Sequence, residues 1–300
     1  MRAITINGHG GPEVLELADI PQPQVEAGEL LIAVAATGVN PADGKWRMGM
    51  FQSFAPVQFP HVLGYDVAGT VQHGDGFAPG TRVVAMLDPF QKGGYAELAK
   101  TRASQAAAIP DSMTFEAAAA IPTAALTGMQ MVEKALDLQP GQHVLVTGAV
   151  GAVGHVALYC AKQRGAIVTA GVRATQAQEA LRNGADNVAV LGEGEWDGAS
   201  FDHVIDTVGG EVVARLCKHL EAGGRIVTAA TTPIPTDGLT ATPEFFGVTP
   251  DGADLARLVQ LVNSGALSMP VAQVLPLEQA AQAQRLVDAG GTGGKIILRI

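Results

Sequence analysis

The sequence predicts an α/β protein, a doubly wound parallel sheet with helices on both faces joined to a β-rich domain. Three observations predict it. The apolar run Val144–Val146 reads as a buried strand, and Gly148-Ala149-Val150-Gly151-Ala152-Val153-Gly154 turns it sharply into a helix. Strand and helix signals then alternate to about residue 248, as parallel βαβ units require. Residues up to about 120 are instead rich in short strands and turn punctuation.

Length and composition set the frame. Three hundred residues suggest roughly two domains. The chain is 47% hydrophobic, yet no apolar run reaches the ~18 residues of a membrane helix. Met1-Arg2-Ala3-Ile4-Thr5-Ile6 reads as a strand and has no signal-peptide core. A net charge of −10 argues against nucleic-acid or anionic-membrane partners. The two cysteines, Cys160 and Cys217, fall in helical segments and read as buried free thiols, which suggests a reducing, cytoplasmic setting.

The elements follow in order. Leu30–Val34 and Val67–Val71 are strand-like, Pro21-Gln22-Pro23 and Pro79-Gly80 mark turns, and Gly93–Glu97 introduces a further strand. Thr114 opens a helix running to Ala120, and another follows Pro122 towards Leu136. After Val144–Val146, small and apolar residues recur at helical spacing through Val153, Val156, Ala157, Cys160 and Ala161. Strands are expected at Ile167–Val172, from Phe201 into the turn Gly209-Gly210, and over Gly223–Ala229. Helices are expected at Ala253–Asn263 and Leu277–Ala289, with a closing strand at Lys295–Ile300.

Several stretches together resemble the medium-chain dehydrogenase/reductase superfamily, in its zinc-free quinone-oxidoreductase-like branch. They are Gly38–Asp43, Gly64–Gly69, Gly93–Glu97, the Gly148–Gly154 turn, Phe201–Gly210 and Gly294–Leu298. The resemblance implies a split GroES-like catalytic domain, residues 1–122 and 250–300, around a Rossmann NADP-binding domain, residues 123–249. It also implies a nicotinamide cofactor in the cleft between the two. Zinc-dependent relatives place ligands where this chain has Asn40, Tyr65 and Thr123, and the relay hydroxyl where it has Ala42. None of these is a ligand for catalytic zinc, and the seven histidines show no ligand spacing, so no metal is expected.

Cofactor choice is argued from the end of the second Rossmann strand. NAD-specific sites hold the ribose hydroxyls with an acid about 20 residues beyond the glycine turn. Ala170-Gly171-Val172-Arg173-Ala174-Thr175 has no acid, and Arg173 can pair with a 2′-phosphate, which favours NADPH. Many relatives have a tyrosine where Leu191 stands. The resemblance places Gly148, Ala149, Gly151, Ala152 and Val153 against the pyrophosphate, and the Thr127 hydroxyl beside the nicotinamide. It sets Thr207, Val208 and Ala229 on the adenosine side, and a strand Phe245–Val248, with Phe246 and Val248, against the carboxamide. Asn40, Tyr65 and Lys45 fall near the substrate; Lys45 stands where several relatives carry a tyrosine.

The resemblance thus implies an NADPH-dependent reductase of quinones or α,β-unsaturated carbonyls, with the Asn40 amide and Tyr65 hydroxyl as donors to the developing oxyanion. An enoyl-thioester reductase and a weakly catalytic NADPH-binding regulator are the alternatives. A homodimer is implied as well, through the apolar edge Thr242–Val248.

Overall fold

The computed structural model describes residues 1–88, 90–91, 93–194 and 196–300. The chain folds into two compact units, one of Met1–Leu126 with Thr249–Ile300, the other of Thr127–Val248.

The first unit opens with β1 (Arg2–Ile6), β2 (Glu16–Asp19) and β3 (Glu29–Val39), then α1 (Pro41–Arg47), β4 (His61–Val62), β5 (Asp66–Gly74), β6 (Arg82–Met86), β7 (Leu98–Arg102), β8 (Ala106–Ala108) and α2 (Phe115–Ala119). Pro41 supplies a preset φ at the first position of α1, and the Asp43 carboxylate accepts from the Asn40 backbone N–H at 2.8 Å, fixing the helix start. Thr114 caps α2 by accepting from the Ala117 N–H at 3.1 Å. Helix α3 (Pro122–Gln130) carries the chain from this unit into the second, and a π-helical turn, Met131–Ala135, extends it.

The second unit holds β9 (His143–Thr147), α4 (Ala152–Gln163), β10 (Ile167–Val172), α5 (Ala177–Arg182), β11 (Asn187–Val190), β12 (Phe201–Asp206), α6 (Glu211–Cys217), β13 (Leu220–Thr228) and β14 (Glu244–Phe245). Its six strands are all parallel, in the order β11-β10-β9-β12-β13-β14. The order reverses between β9 and β12, so this crevice at the strands' carboxyl ends is the switch point where such sheets bind ligands. Leu145, Phe201, Val204, Val213 and Ile226 are buried in its core, and both cysteines are buried free thiols.

The chain then returns to the first unit through α7 (Gly252–Asn263), β15 (Val271–Pro276), α8 (Ala280–Ala289) and β16 (Lys295–Arg299). One sheet of this unit runs β2-β1-β4. The other has seven strands in the order β15-β16-β3-β5-β6-β8, with β7 also pairing β3. Its core is built on Leu30, Ile32, Val67, Val83 and Leu87.

One expectation needs correction. The strand expected over Phe245–Val248 is only Glu244–Phe245, because just Val227 and Thr228 of β13 pair with it. Phe246 and Val248 lie beyond that strand, although the Phe246 N–H still donates to the Thr228 carbonyl at 2.8 Å. Strand β15 was not anticipated. It is parallel to β16 through the α8 crossover, and its exposed positions dilute the alternation that marks a strand.

Candidate active site

In the second unit the glycine turn follows β9 directly. Gly148 has φ +62°, a left-handed conformation that glycine adopts without strain. A Cβ at Gly154 would stand 2.3 Å from the Gly148 carbonyl oxygen, so the first turn of α4 presses on the turn's backbone. The N-cap of α4 is Gly151, which has no side chain to cap it, so no capping side chain takes up the N–H groups of the first turn. Thr127, buried in α3, stands next to Gly128, where a Cβ would fall 2.5 Å from the Val153 carbonyl oxygen. Arg173 follows β10 directly and is exposed, its Nε donating to Gln176 Oε1 at 3.2 Å.

One residue that the sequence reading did not single out holds this region together. Asp206, fully buried at the end of β12, accepts from Thr147 Oγ1 at 2.6 Å, Gly209 N at 2.9 Å and Val208 N at 3.0 Å on one oxygen. Its other oxygen accepts from Thr228 Oγ1 at 2.6 Å. The carboxyl ends of β9, β12 and β13 are thereby tied to one carboxylate. Thr207 joins the knot, its N–H donating to Thr147 Oγ1 at 3.1 Å and its hydroxyl to the Thr147 carbonyl at 2.8 Å. Val208 is exposed and Ala229 half-buried beside this knot. A lone aspartate ending the apolar run Val204-Ile205-Asp206 was the available signal.

In the first unit, Asn40 is almost fully buried, and both ends of its amide are engaged. Nδ2 donates to Asp66 Oδ2 at 2.9 Å, and Oδ1 accepts from the Lys295 ammonium. Asp66 also accepts on Oδ1 from Thr123 N at 2.9 Å and Thr123 Oγ1 at 2.5 Å. Asn40 and Thr123, two of the positions compared above with zinc ligands, are thus joined through Asp66, and Lys295 is the cation beside them. Tyr65 is buried; burial first, then the charges of Asp43 and Asp66, push its hydroxyl well above the ordinary tyrosine range. Trp46 hydrogen-bonds to it, and because an indole only donates, the Tyr65 proton is left to donate elsewhere. Lys45, on α1, is half-buried, and burial lowers its pKa.

Asp43 is fully buried below Asn40. Burial pushes its carboxyl up to about 7, against the opposing pull of the Asn40 N–H and the Tyr95 hydroxyl, with Asp66 adding to the rise and Lys295 opposing it. Tyr95 Oη donates to Asp43 Oδ2 at 2.9 Å, while Oδ1 is buried without a partner. A raised acid pKa means that the folded state keeps a proton the unfolded chain has already released. Stability is therefore expected to fall as pH rises from about 4 to 7, by at most about 4 kcal/mol from this group, and to stay level above that. Urea unfolding at pH 4.5 and 7.5 should show this loss in the wild type and much less of it in Asp43→Asn. Equal pH dependence in both proteins would remove Asp43 as the cause.

A glycine turn at the switch point of a parallel sheet, in a chain that also folds a β-rich unit, is the arrangement of dinucleotide-binding enzymes. Comparison with known proteins agrees. The alcohol dehydrogenase GroES-like domain family matches residues 26–111, and the zinc-binding dehydrogenase family matches residues 175–298. The chain is 30% identical over 324 residues to the chloroplast envelope quinone oxidoreductase homolog of Arabidopsis thaliana, covering 99% of this chain and 98% of that protein. It is 29% identical over 325 residues to the chloroplastic NADPH-dependent alkenal/one oxidoreductase of the same plant, covering 99% of this chain and 79% of that protein. The Escherichia coli quinone oxidoreductase solved with NADPH superposes with a TM-score of 0.86 at 25% identity, over 100% of both chains. The chain belongs to the medium-chain dehydrogenase/reductase superfamily, in its quinone-oxidoreductase-like branch, and is an oxidoreductase. Among the described residues, no helix is long and apolar enough to cross a membrane.

Proposed function

We propose that this protein is an NADPH-dependent, zinc-independent reductase acting on small quinones or α,β-unsaturated carbonyls. The observation that carries the reading is Asn40, a nearly buried amide whose Oδ1 accepts from Lys295 and whose Nδ2 gives one proton to Asp66, which leaves a second Nδ2 proton to donate. A bound nicotinamide supplies one hydride. The residues of this chain bind it, orient the acceptor and stabilise the charge that develops on the acceptor oxygen. Tyr65 and the remaining Nδ2 proton of Asn40 are the donors for that oxygen, and such preorganised donors are each worth about 3 kcal/mol in comparable sites.

NADPH fits the second unit. The narrow glycine turn and the uncapped first-turn N–H groups of α4 suit a pyrophosphate, and exposed Arg173 suits a 2′-phosphate with no acid beside it on β10. Zinc independence is supported by the donor chemistry. Asn40 and Thr123 engage Asp66, and among the described residues no three His, Cys, Asp or Glu side chains are grouped to hold a metal. The exposed Phe245 on edge strand β14 supports a homodimer joined along that edge.

NADPH oxidation followed by absorbance, with 1,4-benzoquinone and with an enone, tests the reading. Steady turnover with at least one acceptor is expected. Arg173→Glu should weaken NADPH binding by about 30-fold or more while NADH changes little, since a charged pair is lost and repulsion gained. A wild type that uses both cofactors equally would overturn the cofactor assignment. Binding without turnover would overturn the enzymatic one.

A further inference from the structure

The proposed reduction needs a hydrogen-bond donor that points one way. An asparagine amide does not guarantee this, because its two ends are nearly alike in shape and can exchange by a half-turn. Here the two neighbours leave no choice. The ammonium of Lys295 can only donate and sits on Asn40 Oδ1; it also reaches the Val39 carbonyl at 3.2 Å and Asp66 Oδ2 at 3.5 Å. The Asp66 carboxylate accepts from Nδ2 at 2.9 Å. Asp66 is fully buried and Lys295 is 6% exposed, so their ion pair acts with little solvent screening. Lys295 sits at the start of β16, which pairs with β3 so that Ile296 faces Val39. The ammonium is thus delivered to the end of β3, one residue before the amide it holds.

We propose that Lys295 is a positioning residue for the reduction. With Asp66 it locks the Asn40 amide in one orientation, and its charge polarises that amide so that the remaining N–H is a stronger donor to the acceptor oxygen. This rests on the reductase reading above. A structural ion pair and a positioning one make different demands. A structural pair needs only that its charges cancel, so removing both together restores function. A positioning pair needs the cation on the amide oxygen.

The test uses Lys295→Met, Asp66→Asn and the double variant, measured for melting temperature, NADPH affinity and kcat with an enone and with 1,4-benzoquinone. Lys295→Met leaves Asp66 uncompensated, and both melting temperature and kcat should fall. In the double variant no charge is stranded, and the amide introduced at position 66 pairs best with Asn40 turned over, its oxygen facing that amide. Melting temperature should therefore recover in large part, while kcat with the enone stays about 30- to 100-fold below wild type. NADPH affinity should stay within about threefold. The benzoquinone defect should be smaller, because that acceptor needs less help. Recovery of kcat along with melting temperature in the double variant would overturn the proposal and leave a structural ion pair. Absence of turnover in the wild type would instead overturn the reductase reading, and this inference with it.

Discussion

Asp206→Ala is expected to destabilise the second unit by about 3–5 kcal/mol, because several buried donors lose their acceptor at once. Two of those donors are the hydroxyls of Thr147 and Thr228, and two are the backbone N–H groups of Val208 and Gly209. A hydroxyl can turn to another acceptor, but a backbone N–H in a tight turn cannot. The loop after β12 should therefore loosen first, and NADPH affinity should fall with it. Asp206→Asn is the control. Its oxygen can serve the three donors on one side, and its NH₂ can donate to Thr228 Oγ1 on the other, so the loss should be nearer 1 kcal/mol. Urea unfolding and cofactor titration on the same preparations would separate the two variants. An alanine variant within about 1 kcal/mol of wild type would show that water replaces the carboxylate and that the knot does not hold the strand ends.

Gly154→Ala should act on the cofactor more than on stability. Inside a helix, alanine is favoured over glycine by about 1 kcal/mol, so propensity alone predicts a small gain. Space predicts the opposite, since the added carbon would lie 2.3 Å from the Gly148 oxygen and 2.7 Å from its carbon, both backbone atoms. Either the turn opens or α4 moves away, and both displace the N–H groups proposed to bind the pyrophosphate. We expect NADPH affinity to fall by about 100-fold, or ~2.7 kcal/mol. At Gly151 the nearest atom to an added Cβ is the same oxygen at 3.1 Å, so Gly151→Ala should cost much less. Isothermal titration of both variants gives the ranking, and equal affinities would show that the turn tolerates the intrusion.

What the sequence made legible follows the range of each signal. The glycine turn, β10 at Ile167–Val172 and the Thr114 cap depend on neighbours within one helix turn or one strand, and all three stand as read. The medium-chain fold was legible because its motifs are contiguous. The order of the seven-stranded sheet was not, because pairing of β16 with β3 leaves no local trace. The same holds for the polar clusters. Asp66 and Lys295 each stand in a recognisable motif, but nothing near either residue announces that they meet on Asn40. Phe245–Val248 erred in the other direction, since two aromatics imitate a strand where the partner β13 ends at Thr228.

The placement of β16 also bears on how the protein is made. It lies within the seven-stranded sheet, between β15 and β3, and one of those partners belongs to the opening of the chain. The segment Thr127–Val248 is contiguous and can close while synthesis continues, domain by domain. The first unit has no such option. Until β16 has been made, the Ala36–Val39 end of β3 lacks its partner, although β7 already pairs the Glu29–Ala33 end, and the Asp66 carboxylate waits without its ammonium. A ribosome that stalls shortly before Lys295 would release a chain whose middle unit is finished and whose first unit leaves the backbone of Ala36–Val39 unpaired, a short strand edge open to pairing with another chain.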